Sequence, residues 1–312
     1  MAKKQKYTVV SLFSGAGGMD LGFDLEGFKT IWANDFDKDS CETHRTWSGA
    51  EVVHGPIEKV DLNSIPHADV VLGGFPCQGF SLAGPRKVDD KRNVLFRNFV
   101  AVIDKIQPKV FIAENVKGIL TLGGGEILKV IIREFSDKGY NVQVKLVNSA
   151  DYDVPEDRFR VIMVGVRKDI SVNFAYPEVS KKKVSIKEAI GHFPEPKPEE
   201  VLEGGFSSRY MSRNRIRAWD QQAFTVPAMA KQVTLHPSSP DMIKIDKDLW
   251  QFGEGVTRRL SWREAAAIQT FPKDMYFAGN LVSKYKQIGN AVPVNLARAV
   301  AKSVNTLLEK IA

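Results

Sequence analysis

The stretch Val10-Ser-Leu-Phe-Ser-Gly-Ala-Gly-Gly-Met-Asp20 decides how this chain is read. An apolar run over 7–13 predicts a short strand. The glycines that follow predict a tight turn, and 17–26 predicts a helix opening from it. Glycines at that place let the backbone pass close to a ligand, at the carboxyl end of a strand, where open α/β sheets bind their cofactors.

The same alternation continues outward. Strands are predicted at 29–34, at 69–73 (DVVLG), at 109–114 (KVFIAE), at 140–148 and at 160–167 (RVIMVGVR); helices are predicted at 38–47, 92–106 and 125–138. Several strands carry apolar residues consecutively, as strands buried on both faces do. The expected fold is therefore α/β, a doubly wound, mostly parallel sheet. Near residue 172 the texture changes. Pro177, Pro194, Pro196 and Pro198 and the lysine run 181–183 open an irregular stretch that continues to about Gly279. The expected organisation is a catalytic and cofactor-binding domain at 1–172 plus 281–312, with a smaller, irregular domain at 173–280. Val294, Ala297, Ala301, Val304, Leu308 and Ile311 recur at helical spacing and predict a closing amphipathic helix, with Pro293 suited to its first turn.

Composition narrows the function classes. A chain of 312 residues, 43% hydrophobic, can build a sizeable core. No apolar run approaches the ~18 residues of a membrane span, and the basic start leads into a run too short for a signal peptide. Only Cys41 and Cys77 occur, so neither a disulfide framework nor a Cys-rich zinc module is expected, and no metal site is. A reduced, cytoplasmic setting and a monomer are expected. The net charge of +7 permits a polyanionic partner.

Individual positions suggest chemistry. A dinucleotide turn wants G-x-G-x-x-G; Gly15 and Gly17 satisfy its first half, but Asp20 stands where the last glycine belongs, which counts against a nicotinamide dehydrogenase. Asp35 ends the next strand, about 20 residues on, where an acidic side chain can hold ribose hydroxyls; capping a helix is its other reading. Phe36 could pack on an adenine face. In Gly73-Gly-Phe-Pro-Cys77-Gln-Gly-Phe-Ser81 a cysteine leaves a buried strand into a glycine-flanked loop, as a nucleophile would. Cys41, in a helical stretch, reads as a core residue. Loop 81–93, with Arg86, Lys87, Lys91 and Arg92, could close over an anionic substrate. Glu114 ends another parallel-type strand. A carboxyl group there is expected to hold its proton more tightly and to suit general-acid work, or else to cap a helix. Arg158 and Arg160, two apart, form either a phosphate or base clamp or a solvated pair.

Together these segments resemble the cytosine-5 DNA methyltransferases. The resemblance rests on FSGAGG (13–18), GFPCQGFS (74–81), ENV (114–116), EDRFR (156–160), RRLSWREAAAIQTFP (258–272) and YKQIGNAVPVNLA (285–297), in that order. The stretch 210–220 (YMSRNRIRAWD), continuing through Ala223-Phe-Thr to Thr234-Leu-His-Pro237, is similar to the recognition region of bacterial GGCC-modifying members, the HaeIII type. The resemblance implies transfer of methyl from S-adenosylmethionine to C5 of a flipped cytosine in double-stranded DNA. Cys77 would be the nucleophile, adding to C6. Glu114 would hold and protonate the ring nitrogen, and Arg158 and Arg160 would orient the base. Phe13, Gly15, Ala16, Gly18, Asp35, Phe36, Ile57, Pro76, Leu95 and Asn290 would line the cofactor site. Gln78, Ser81, Arg92 and Arg258 would touch nucleic acid. A cognate restriction endonuclease is a partner such members can have. Two positions depart from the family pattern: Pro56 replaces an expected acidic residue, and Glu156 replaces a glutamine.

The run 209–217 holds Arg209, Arg213, Arg215 and Arg217 with no acidic residue. Arginine paired bidentately with guanine is the commonest specific major-groove contact, so a G/C-rich site is expected; phosphate or solvent contact is the alternative for each. An RNA cytosine methyltransferase, a dehydrogenase and a non-catalytic DNA-binding module are the rival readings.

Overall fold

The computed structural model describes residues 6–76 and 94–311, and Cys77, Gln78, Ser81, Arg86, Lys87, Lys91 and Arg92 lie outside the described residues. These fall into two compact units. The first runs up to Asn148 and includes Phe159–Glu178 and the chain from Leu296 on; the second comprises Ser149–Arg158 and Val179–Asn295.

In the first unit the quoted stretch joins β1 (Tyr7–Leu12) to α1 (Gly18–Asp24). There follow β2 (Phe28–Asp35), α2 (Lys38–Ser48), β3 (Glu51–His54), β4 (Val70–Gly73), α3 (Val94–Ile106), β5 (Val110–Val116), α4 (Glu126–Asp137) and β6 (Tyr140–Asn148). After β7 (Glu156–Asp157), which belongs to the second unit, β8 (Phe159–Arg167) completes the sheet. Strand order is β3-β2-β1-β4-β5-β8-β6. β3, β2, β1, β4 and β5 are parallel, and β8 runs antiparallel to both its neighbours. Every residue of β4 is buried, and so are the first four of β5. A strand buried residue after residue is covered on both faces, which is the doubly wound arrangement.

Side chains explain the stitching. Asp69 accepts the Thr8 backbone N–H at 3.0 Å and pairs with Lys109 at 2.8 Å, tying together the starts of β1, β4 and β5. On α3, Phe96, Phe99, Val100 and Ile103 recur at spacings of three, one and three and bury one face. Phe99 and Phe111 meet Phe135 of α4 at centroid distances of 5.9 and 4.3 Å, forming the aromatic centre of the core. From β1 the chain winds outward through β2 and β3, then returns to place β4 on the other side of β1. That reversal is a topological switch point, and open α/β sheets bind ligands at the strand carboxyl ends beside it.

The second unit has little regular structure: α5 (Ile186–Ile190), β9 (Ala223–Phe224), the hairpin β10 (Ile243–Asp246) and β11 (Leu249–Gln251), α6 (Trp262–Ile268) and α7 (Leu281–Asn290). β7 pairs with β9 in parallel. Buried carbonyls still need donors, and here side chains supply them. Arg259 donates to Leu202 O and Gly204 O at 2.9 and 2.7 Å, Tyr210 to Val233 O at 3.0 Å, and Tyr285 to Leu260 O at 2.7 Å. The sequence assigns 281–312 to the first domain, whereas α7 packs within the second unit. Tyr285 is its anchor, and Gly289 approaches Pro227 so closely that a Cβ would lie 2.3 Å from the Pro227 carbonyl. The chain re-enters the first unit along α8 (Val294–Glu309).

Candidate active site

At the carboxyl end of β1, Phe13 adopts φ 53° and Gly15 φ 54°. A positive φ is an outlier for a bulky residue, and such strain collects at ligand-binding turns. Among the described residues, a Cβ on Gly15 would meet nothing within 4 Å, which leaves open space beside it. Asp35, 7% exposed, ends β2 and holds the turn: its carboxylate accepts the Gly15 N–H at 2.8 Å and the Asp37 N–H at 2.8 Å. Asp35 does not cap α2; Asp37 does, accepting Ser40 N–H at 3.0 Å. The Phe36 ring, next along, is 67% exposed.

Gly17 is glycine for a different reason. Its φ is 82°, and a Cβ would collide with Trp47 at 2.3 Å and His44 at 2.9 Å. Both residues come from α2, and their rings stack at 4.9 Å. Trp47 Nε1 donates to Ala16 O at 3.1 Å, and His44 Nδ1 lies 3.3 Å from Ser14 Oγ. Sequence reasoning missed both, because they read as an ordinary helix face. Ala16 and Gly18 are buried.

The exits of β4 and β5 are tied together. Asn115 Nδ2 donates to Phe75 O at 2.9 Å. A Cβ on Gly74 would sit 3.4 Å from Glu114 Oε2, so the carboxylate lies beside the loop that leads to residue 77. Arg160 of β8, in register with Val116, pairs through Nε with Glu114 Oε1 at 2.8 Å. The expectation that burial alone governs Glu114 left out this counter-ion. Neither residue of the pair is exposed. Pro76 is exposed, Ile57 is buried in the core, and Leu95 packs against it. Pro56 is exposed and starts the 3-10 turn Ile57–Lys59.

The remaining candidates belong to the second unit. Arg158 is not a solvated partner of Arg160. It is 1% exposed and donates to Val226 O at 3.1 Å, Gly289 O at 2.7 Å and Ala291 O at 3.0 Å. Glu156, the departure from the family pattern, lies 3.5 Å away as its counter-ion and also accepts the Val226 N–H. Asn290, the last residue of α7, is exposed. Of the arginine run, Arg215 is 3% exposed and donates to Tyr210 O, Arg209 O and Gln232 Oε1 at 2.9, 3.1 and 2.7 Å. Arg217 lies over the Phe224 ring at 4.1 Å, with the Asp157 carboxylate at 3.7 Å. Arg258 forks onto Glu264 at 2.9 and 3.0 Å and meets Glu195 at 3.2 Å. Arg209 and Arg213 are exposed. A run whose arginines are each expected to meet a base, a phosphate or solvent therefore divides into internal staples and exposed cations.

Residues 7–306 match the family model of the C-5 cytosine-specific DNA methylases. The chain belongs to that family. Type II methyltransferase M.BspRI of Lysinibacillus sphaericus is 42% identical, over 97% of this chain and 82% of its own. Type II methyltransferase M.FnuDI of Fusobacterium nucleatum is 42% identical, over 97% of this chain and 95% of its own. A crystal structure of a prophage-encoded DNA modification methyltransferase from E. coli superposes with a TM-score of 0.76 at 22% identity, over 97% of this chain and 100% of the other; that likeness speaks for the fold.

Methylases of this family use S-adenosylmethionine. The residues at the switch point fit an adenosyl group. Open space lies at Gly15, a buried carboxylate ends β2, and an exposed aromatic ring follows it. Among the described residues of the methylase, no cluster of His, Cys, Asp and Glu could hold a metal ion, and no helix is long and apolar enough to cross a membrane.

Proposed function

We propose that this methylase modifies a cytosine at C5 within a GGCC-like duplex site, through a covalent bond from Cys77 to C6, as the modification half of a restriction–modification pair. The observation that carries the reading is the Glu114–Arg160 pair beside Gly74, three residues before Cys77, in a chain of this family. Bound S-adenosylmethionine supplies an electrophilic methyl group. Phe13, the Gly15–Gly18 turn, Asp35, Phe36, Ile57, Pro76, Leu95 and Asn290 would hold it.

The chain's own residues prepare the base. Cytosine C5 is a poor nucleophile. The Cys77 thiolate adds to C6, forming an S–C bond and leaving C5 enamine-like. Glu114 delivers a proton to the ring nitrogen, which lowers the cost of that addition, and Arg160 fixes the carboxyl group that does so. Once C5 carries the methyl group, loss of the C5 proton expels the thiolate and restores the 5,6 double bond, and the ring nitrogen returns its proton to Glu114. An ordinary thiol has a pKa of ~8.5, so a cationic setting favours the reactive anion. The base must leave the stack first, at a cost of a few kcal/mol. The basic residues of 81–93 would stabilise the opened duplex.

Arg158, its donors engaged internally, serves as a positioning residue for the 226 and 289–291 segments. The second unit would carry target recognition, with Arg209 and Arg213 as base or phosphate contacts and Arg215 as their internal support.

The test is a GGCC duplex with 5-fluorocytosine at the target position. Fluorine cannot leave as a proton does, so the adduct persists. A protein–DNA band should survive denaturing electrophoresis with the wild type and vanish with Cys77→Ala, which still binds duplex. Tight binding with no adduct, in the presence of S-adenosylmethionine, contradicts the covalent route.

A further inference from the structure

The 13–18 turn has a ligand-facing side at Gly15 and a rear side packed by α2. On the rear side Asp20 and His44 are both fully buried, with Asp20 Oδ1 3.9 Å from His44 Nε2. Among the described residues, neither carboxylate oxygen nor His44 Nε2 meets hydrogen-bond geometry with a partner, although the Ser11 hydroxyl is near enough to favour the Asp20 charge. A buried carboxyl and a buried imidazole so placed are costly, and native structures rarely keep such groups without a reason. His44 has two contacts that point to one. Its Nδ1 faces Ser14 Oγ at 3.3 Å, and its ring edge occupies the space a Gly17 Cβ would need. Ser14 and Gly17 bracket the turn, since the Gly17 N–H donates to Ser14 O at 2.9 Å. Beside His44, Trp47 holds Ala16 O from the same direction.

We propose that His44, packed beside the buried Asp20, is a positioning residue for S-adenosylmethionine: it clamps Ser14 and fills the floor beneath Gly17, so that the turn has its ligand-binding shape before the cofactor arrives. The inference rests on reading the 13–18 turn as the cofactor cradle. An apolar ring could fill the floor equally well. What imidazole adds is the polar contact to Ser14. Burial pushes the Asp20 carboxyl up to about 7 and the His44 imidazole down to about 3. The imidazole is therefore neutral at physiological pH, and its contact to Ser14 is a neutral hydrogen bond. Preorganisation of this kind shows in affinity, because a loose turn must be ordered when the ligand binds.

The test is calorimetric titration of the full chain with S-adenosylhomocysteine, which needs no turnover. Three variants are compared. His44→Leu keeps the floor filled and loses the hydrogen bond, His44→Gln keeps a polar contact, and Asp35→Ala removes the cradle's carboxylate. His44→Leu should weaken binding about tenfold, which is ~1.4 kcal/mol, and His44→Gln should recover most of it. Affinity for duplex DNA, measured on the same samples, should stay at the wild-type value. Equal affinities of His44→Leu and His44→Gln overturn the proposal. So does a loss of DNA and cofactor affinity in step, the mark of a merely structural role. If Asp35→Ala weakens binding while His44→Leu does not, the cradle stands and the inference falls; if neither weakens it, both fall.

Discussion

Arg160 and Arg158 stand two positions apart and do different work. Arg160 reaches Glu114 at 2.8 Å, whereas Arg158 is buried among three carbonyls and Glu156. Glu114→Gln keeps the shape of the side chain but cannot deliver a proton, so kcat in a single-turnover methylation assay should fall ~10²–10⁴-fold, the range of general-acid catalysis. A loss below about tenfold is too small for that role. Arg158→Ala should act on stability instead. It strands the buried Glu156 carboxylate and three carbonyls, and breaking a buried pair in this way costs about 3–5 kcal/mol. Denaturant unfolding should show that loss. An unchanged midpoint with reduced turnover would return Arg158 to the chemistry. Arg215→Ala likewise leaves the carbonyls of Arg209 and Tyr210 without their donor, and a loss of about 1–3 kcal/mol is expected.

Among elements, α1 carries an unusual load for its seven residues. Burial raises Asp24 to about 7, against the lowering effect of its hydrogen bonds from Thr30. The folded state thus binds a proton at Asp24 that the unfolded state, at 3.8, has already lost. Stability drawn from this group is present at low pH and is lost as pH rises from about 4 to about 7. Asp24→Asn cannot titrate, so its melting temperature relative to wild type should climb across that window. A difference that stays flat from pH 4 to 8 contradicts the assignment. Elements also show what was legible in the sequence. β1, β4 and β5 announced themselves through consecutive apolar residues, and the turn after β1 through its glycines. β3 did not, because four residues with one fully buried side chain make no pattern. That β8 runs antiparallel left no trace either, since a strand buried on both faces reads the same in both directions. At the site, Glu114, Asp35 and Phe36 were visible because strand ends are where such groups work. His44 and Trp47 were invisible, because their partner is a backbone turn whose need for them appears only in three dimensions. Arg158 and Arg215 misled for the opposite reason: charge suggests solvent, and in an irregular unit a guanidinium is the donor that can satisfy several buried carbonyls at once.

For the molecule as a whole, that distinction separates recognition from support. Arg209→Ala and Arg213→Ala should each either relax sequence preference or lower the salt slope of duplex binding by ~1, according to whether the side chain reads a base or a phosphate. Arg215→Ala should instead reduce melting temperature and leave the preference of the surviving folded protein intact. A sequence-scanned binding assay at two salt concentrations distinguishes the cases; a variant at 209 or 213 that changes neither quantity has no part in recognition. Bisulfite sequencing of plasmid DNA from a host expressing the chain tests the central claim most directly. One cytosine per strand, in a recurring GGCC-like context, should resist conversion with the wild type and convert fully with Cys77→Ala. Conversion of every cytosine by the wild-type sample, or protection that persists in Cys77→Ala, would contradict the account.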